Sequence, residues 1–352
     1  MIGQLATAFT ALIGAFAAQQ IGLPLPWMLG PLLFTAAAAI AGLTVMGQPM
    51  AMPRHTRLVF VPIIGLMIGA RVSPDILDQM LTWWPSLLAI GPVAMLIQLV
   101  NTYVLRKVAG YDRTTAYFAA SPGGLVEAVL IGESYGGNGT SMAMQHFVRV
   151  TLAVLTVPAI LSLALGNAVG SAAGVVMETG AHALTLVDVA LLAAAAIVGA
   201  GVSTRLRLPA GIMVGPFLLS TLLHATGITA AQVPGELVKV SQLAIGAVLG
   251  SRFKGLTGSA LLRGLASGFL ALCSSLGIAA LSALALKQLF GMHVPLLFIS
   301  FAPGGLAEMS LISISLGEDP VFVAVHHIAR ISVAVMISPI VFRLLFLRSK
   351  PD

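Results

Sequence analysis

The chain has 352 residues, 58% of them hydrophobic and only 9% charged, with a mean hydropathy of +1.01. That balance excludes an ordinary soluble domain and makes the chain an integral membrane protein. The net charge of +6 does not indicate nucleic acid, because Lys and Arg sit in short loops between apolar runs and form no basic reading face.

Apolar runs bounded by Pro, Gly and charge fall at 2–21, 27–46, 57–70, 85–108, 114–135 and 140–166. They continue at 184–204, 212–226, 236–250, 259–289, 294–316 and 320–347. Many reach the length of about 20 residues that a hydrocarbon core of roughly 30 Å requires. The first run, "MIGQLATAFTALIGAFAAQQ", has no basic leader region and no small-residue cleavage site, so it reads as a span and not as a removed signal. The single cysteine, Cys273, excludes an internal disulfide and reads as a small buried hydrophobe.

The second six runs echo the first six. "LPLPWMLGP" at 23–31 matches "LPAGIMVGP" at 208–216, placing Pro24, Gly30 and Pro31 on Pro209, Gly215 and Pro216. "IGLMIGARV" at 64–72 matches "IGAVLGSRF" at 245–253. "ASPGGLVEAVL" at 120–130 matches "FAPGGLAEMSL" at 301–311, and the match runs without a gap into "HFVRVTLAVLTVP" and "HIARISVAVMISP". Four agreeing blocks make this an internal duplication, with repeats at 1–170 and 180–348.

Loop charge sets the relation of the halves. Arg54, Arg57, Arg106, Lys107 and Arg113 follow the second and fourth runs of the first half. In the second half the basic residues move to Arg205 and Arg207, to Arg252, Lys254 and Arg263, and to Arg343, Arg348 and Lys350. Equivalent loops carry opposite biases, so the repeats are expected to be inverted, with both termini cytoplasmic. Inversion needs an odd number of crossings in each half. The expected fold is therefore all-α, with about ten crossings and one discontinuous or re-entrant element in each repeat.

The interrupted element is the one with Pro122-Gly123-Gly124 and its copy Pro303-Gly304-Gly305, since proline, glycine and the pre-proline residue all oppose continuous helix. Unwound backbone in lipid must be buried in protein or line a wet cavity. Glu127 and Glu308 follow the breaks, at the positive end of the next helical piece. Arg149 and Arg330 are the expected carboxylate partners, with Gln145, His146, His326 and His327 one turn earlier on the same face. These groups form either plain ion pairs and caps for the freed carbonyls, or, with Ser121, Gly123, Gly124, Gly304 and Gly305, a central site for a polar solute and a coupling ion. His146, His326 and His327 make a weak metal set without Cys or Asp, and neither metal nor cofactor is expected. "VGSAAG" at 169–174 lacks the dinucleotide fingerprint, and no ATP-binding loop is present. Trp27, Trp83 and Trp84 read as an interfacial belt, the Gly65/Gly69 and Gly246/Gly250 spacings as close helix packing, and Asp188 as interfacial; His182 and His224 carry no argument.

"LPWMLGP", "SPGGLVEA", "HFVRV" and their copies resemble the bacterial AbrB-type membrane proteins, a duplicated family labelled ammonia monooxygenases or AbrB transcriptional regulators. More distantly, "RLVFVPIIGLMIGARVSPDIL" looks like the cation/proton antiporter and bile-acid symporter superfamily. That resemblance implies panel and core subdomains drawn from both repeats, elevator-like movement, a bacterial inner membrane and a homodimer. The superfamily's aspartate motif is absent. Neither family label fits the residues, since a DNA reader needs a soluble basic element and a monooxygenase needs a metal or flavin site. The expectation is a secondary transporter of a small polar solute, an organic anion by the arginines and helix N-termini, either driven by a proton or sodium gradient or working as a uniporter, and not an enzyme. A membrane enzyme subunit and a ligand-sensing regulator are the alternatives.

Overall fold

The computed structural model describes residues 2–23, 25–53, 55–72, 79–166, 184–208, 210–255 and 258–347, without the side chains of 125, 126 and 259–261. Pro24, Pro209, Arg54, Arg348, Lys350, His182, the 169–174 stretch and the repeat boundary at 170–180 lie outside these residues.

The chain is helical, with a two-residue antiparallel pair, β1 (Thr44–Val45) and β2 (Gln48–Pro49), as its only sheet among the described residues. The first half gives α1 (Ile2–Gln20), α2 (Pro26–Ile40), α3 (Thr56–Gly69), α4 (Trp84–Val108), α5 (Arg113–Ala119), α6 (Leu125–Ser134) and α7 (Gly139–Leu165). The second gives α8 (Leu186–Arg205), α9 (Gly211–Ala225), α10 (Gly235–Gly250), α11 (Gly258–Phe290), α12 (Val294–Phe301), α13 (Leu306–Ser315) and α14 (Pro320–Phe342). Element for element, the second series repeats the first. Six helices among the described residues are long and apolar enough to cross a membrane, namely α1, α4, α7, α8, most of α11, and α14 with its extension to Phe346. The helices α2, α3, α9 and α10 are 14 to 16 residues long. At 1.5 Å per residue they are shorter than the roughly 30 Å hydrocarbon core.

The chain divides into two compact units, each assembled from both halves. The first holds 1–79, 155–257 and 307–321, and the second 80–154, 258–306 and 322–352. In the first unit, α2 packs on α1 and α10, and α9 packs on α8 and α3. Glycine permits these approaches. A Cβ on Gly65 would meet the carbonyl of Met213 at 2.5 Å, and one on Gly246 would run into the carbonyl of Met28. Met28 and Met213 are themselves equivalent in the repeat, so each half's α3-type helix sits on the other half's α2-type helix in a reciprocal exchange. Small residues do this in a membrane because lipid is as apolar as any side chain and close van der Waals contact must drive association.

The second unit holds the interrupted elements up to residue 306. Its packing joins α4 to α5, α11 and α12, and α5 to α6. A core of Leu105, Tyr117, Phe118, Met142 and Phe342 surrounds α5, with Tyr135 stacked parallel to Phe118 at 5.8 Å. Buried polar groups answer one another across α4. Gln98 donates to Ser338 Oγ at 2.7 Å and to the Tyr117 carbonyl at 3.2 Å, while Asn101 donates to Ser275 Oγ at 2.8 Å.

Several sequence expectations are corrected. The apolar run 27–46 stops as helix at Ile40, because Gly42 turns left-handed at φ +65° and a hairpin follows. Trp83 is buried against Phe322, with ring centroids 5.0 Å apart, so only Trp84 of that pair has the exposure an interfacial belt asks for. Cys273 is exposed and not buried, as a helix face turned to lipid tolerates small apolar residues as readily as a core does. Asp188 stands at the start of α8, where the sequence puts it, and serves there as the N3 partner of a capping box with Thr185.

Candidate functional site

The helix breaks are where the sequence puts them. α5 ends at Ala119 and α6 begins at Leu125, and α12 ends at Phe301 with α13 beginning at Leu306. Each break strands carbonyls at the end of the first piece, since no following turn supplies their donors. A buried arginine supplies them instead.

Arg149 donates from Nη1 to the carbonyl of Ser121 at 2.6 Å, and Arg330 from Nη1 to the carbonyl of Ala302 at 2.6 Å. Arg330 also donates from Nη2 to the Gly304 carbonyl at 3.0 Å. A histidine one turn earlier braces each guanidinium. His146 Nδ1 lies 3.0 Å from Arg149 Nη2, and His327 Nδ1 lies 3.1 Å from Arg330 Nη2. Their other ring nitrogens meet the carbonyls of Phe118 at 3.1 Å and Ile299 at 3.2 Å. The Nη1 and histidine contacts to the breaks each span 28 residues in both halves, and the further bond from Arg330 to Gly304 spans 26. The duplication is therefore a duplicated piece of hydrogen-bonding geometry as well as of sequence.

Tautomers follow from the acceptors. A backbone carbonyl only accepts and an arginine only donates, so His146 and His327 each carry hydrogen on Nε2 and a lone pair on Nδ1. Protein groups thus occupy both ring nitrogens of each, which leaves none for a metal.

The carboxylate pairing is corrected. Neither Arg149 nor Arg330 has a carboxylate within salt-bridge distance among the described residues; their Nη groups go to backbone and histidine. The physical reason is the break itself, whose freed carbonyls are nearer and more rigid acceptors than a flexible glutamate. Glu127 instead folds back over Gly124, where any Cβ would collide with its carboxylate, and so occupies the N-terminal end of α6. Glu127 is partly exposed. Glu308 is 3% exposed, falls with the first unit and makes no hydrogen bond or ion pair among the described residues.

Both guanidinium groups are buried, Arg149 at 9% exposed and Arg330 at 3%, and each leaves its Nε without a partner. They are close enough for the charge of Arg149 to act on Arg330. Beside the first break lies a small, partly open recess with room for about one water molecule, lined by Ser121, Gly123 and Gly124 on one side and by Ala334, Val335 and Ser338 of α14 on the other. Gly304 and Gly305 are half-buried at the second break.

Gln145 and His326 take equivalent places and use partners that sequence reasoning missed. Gln145 Nε2 donates to Ser267 Oγ at 2.7 Å, and His326 Nε2 lies 2.8 Å from Ser86 Oγ. Ser86 and Ser267 coincide when the gap-free alignment of the breaks is carried back along the chain. Each half thus reaches the serine of the other. That backward extension was the signal available in the sequence.

Residues 37–346 match the AbrB family, whose description reads "Transition state regulatory protein AbrB". The chain belongs to the AbrB family. Among AbrB-like relatives, the Bacillus subtilis (strain 168) protein "Uncharacterized protein YhjN" is 26% identical, over 94% of this chain and 90% of that one. The Escherichia coli (strain K12) protein "Putative regulator AbrB" is 24% identical, over 92% of this chain and 90% of its own length. The match to the AbrB family takes in both breaks, both arginines and both histidines that brace them.

Proposed function

We propose that this AbrB-family chain is a secondary transporter for a small organic anion, bound in the second unit between the two helix breaks. One observation carries the reading: two buried guanidinium groups near one another, each with a spare Nε–H and neither with a carboxylate beside it among the described residues. Burying a charge costs several kcal/mol unless an opposite charge answers it. A carboxylate of the solute supplies that charge, and the N-terminal ends of the pieces that follow the breaks favour it further. Glu127 already holds a carboxylate over the end of α6, so the solute's own carboxylate competes with it there.

Alternating access comes from inverted repeats of about ten crossings, in which the short helices α2, α3, α9 and α10 join the six long ones where the bilayer thins to meet them. The reciprocal contacts between halves support a two-fold relation, and the loop charges support the inverted sense with both termini cytoplasmic. The distant resemblance to the antiporter and bile-acid symporter superfamily supports an elevator-like movement in a bacterial inner membrane. The reading is a carrier and not an enzyme; the three buried histidines among the described residues each meet protein partners at both ring nitrogens, which leaves them no position for a catalytic metal.

The test is a thermal-shift screen of mono- and dicarboxylates against organic cations and neutral solutes. Stabilisation by one or more carboxylates, lost in Arg149→Gln or Arg330→Gln, is the expected result; stabilisation by cations or neutral solutes alone contradicts it. A sensor that binds the same anion without moving it is the second reading, favoured by the printed name of the Escherichia coli relative. Flux in proteoliposomes separates the two.

A further inference from the structure

We propose that His326 is a reversible proton-binding site, the one buried histidine of the three whose hydrogen bonds survive both protonation states. As a coupling site it rests on the transport reading; as a proton site it stands on its own hydrogen bonds.

His326 is fully buried on α14. Its Nδ1 lies 2.7 Å from the carbonyl of Phe322 and must therefore carry hydrogen. Its Nε2 faces Ser86 Oγ, and that hydroxyl has a second acceptor, the carbonyl of Trp83 at 2.9 Å. In the neutral ring Ser86 donates to the Nε2 lone pair. When Nε2 takes a proton, its new N–H donates to Ser86 Oγ and the serine hydrogen turns to the Trp83 carbonyl. One proton is gained and no hydrogen bond is lost. A hydroxyl rotor makes this possible, since it donates once and accepts on either lone pair.

His146 and His327 lack this freedom. A proton arriving at the Nδ1 of either ring would face an arginine N–H 3.0 or 3.1 Å away and break that bond. The other half of the molecule shows the proton-loaded geometry in permanent form. Gln145, at the place equivalent to His326, donates from Nε2 to Ser267 Oγ, and Ser267 passes its own hydrogen to the Arg263 carbonyl at 2.8 Å. A glutamine cannot release that hydrogen, whereas a histidine can. The repeat is thus symmetric in wiring and asymmetric in one titratable atom.

The groups facing His326 are Ser86 and Trp83 beside the start of α4, Phe301 of α12, and Phe322 and His327 on its own helix. None is a carboxylate, so nothing pins the charged form in place. The proton is carried when the site meets water and given up when it does not.

The test is nitrogen-15 NMR of histidine-labelled full-length protein in lipid nanodiscs, from about pH 8 down to about pH 5. One buried ring, identified by its disappearance in His326→Gln, is expected to gain a second N–H while His146 and His327 keep their single Nε2–H tautomer. Ser86→Ala removes the rotor and is expected to weaken proton binding about tenfold or more, as loss of a charge-assisted hydrogen bond does. A His326 ring that stays neutral throughout, or titration of His146 or His327 in its place, overturns the proposal. Titration unaffected by Ser86→Ala overturns the rotor. If His326 titrates while no organic anion crosses the bilayer, the transport reading fails and the proton site stands; if anions cross and His326 never titrates, the reverse holds.

Discussion

Arg149 and Arg330 hold equivalent places in the two halves, and each donates at 2.6 Å to a backbone carbonyl 28 residues before it. Removing either side chain leaves a buried carbonyl at a helix break without its donor. Arg330→Ala is expected to destabilise by about 1–3 kcal/mol, the cost of an unmet buried polar group. Arg330→Lys keeps the charge but not the planar fork that reaches Ala302, Gly304 and His327 together, so it should recover only part of that loss. Thermal unfolding in detergent checks both, and a lysine variant as stable as the parent would show the fork to be dispensable.

Gly124 and Glu127 predict a coupled pair. A methyl group at 124 meets the Glu127 carboxylate, the end of a flexible and partly exposed side chain that can swing aside, so Gly124→Ala should displace that carboxylate from the end of α6 at a cost of about 0.3–1 kcal/mol. Glu127→Ala in the same chain should return much of it. A double-mutant cycle of unfolding free energies measures the coupling, and simple additivity would show that the two do not meet.

Close packing in the first unit is equally exposed to test. Gly246→Val places a side chain against the Met28 carbonyl, and Gly65→Val does the same at Met213. Each should lower the melting temperature, by a destabilisation of about 1–3 kcal/mol. Gly277 lies mid-helix in α11 with nothing near its would-be Cβ, so Gly277→Ala serves as the control and should leave stability unchanged or raised.

Asp112 caps α5 outside the long apolar helices by accepting from the Thr115 amide at 2.9 Å. Burial alone would raise its carboxyl, but hydrogen bonds from Thr115 and Thr114 outweigh that and hold it below its ordinary value of 3.8. A lowered folded-state value means that the cap contributes fully above the ordinary value and is lost as pH falls through the folded one. Asp112→Ala should therefore cost about 0.5–2 kcal/mol at neutral pH and progressively less in acid. Melting curves at several pH values check it; a constant difference would remove the charge from the explanation.

The breaks were legible because Pro122-Gly123-Gly124 and its copy forbid helix by covalent geometry, whatever surrounds them. The duplication was legible because its blocks are long. What the arginines hold was legible only as two open readings, an ion pair or a cap on the freed carbonyls, since an i, i+3 His–Arg face is the same string whether it serves a carboxylate or a carbonyl 28 residues away; the structure takes the cap. Trp83 and Cys273 were misread because local polarity cannot tell a protein-facing side of a helix from a lipid-facing one when both are apolar. Ser86 and Ser267 carry no local pattern at all; their meaning lies in partners 240 and 122 residues distant.

Equivalent helix ends offer a direct test of whether the halves are inverted. With Cys273 replaced by serine, single cysteines at Arg106, in the last turn of α4, and at Lys287, in the last turn of α11, should label from opposite sides of the membrane if the halves are inverted. Labelling of both from one side would make the repeats parallel.

Counterflow of radiolabelled small carboxylates in proteoliposomes tests whether Arg149 and Arg330 together carry an anion. Saturable carboxylate exchange by the parent chain is expected, with a loss of about tenfold or more in Arg149→Gln and Arg330→Gln proteins that remain folded, as removal of a charge-assisted contact implies. Undiminished exchange in both variants, or exchange of organic cations with no carboxylate moved, would contradict it.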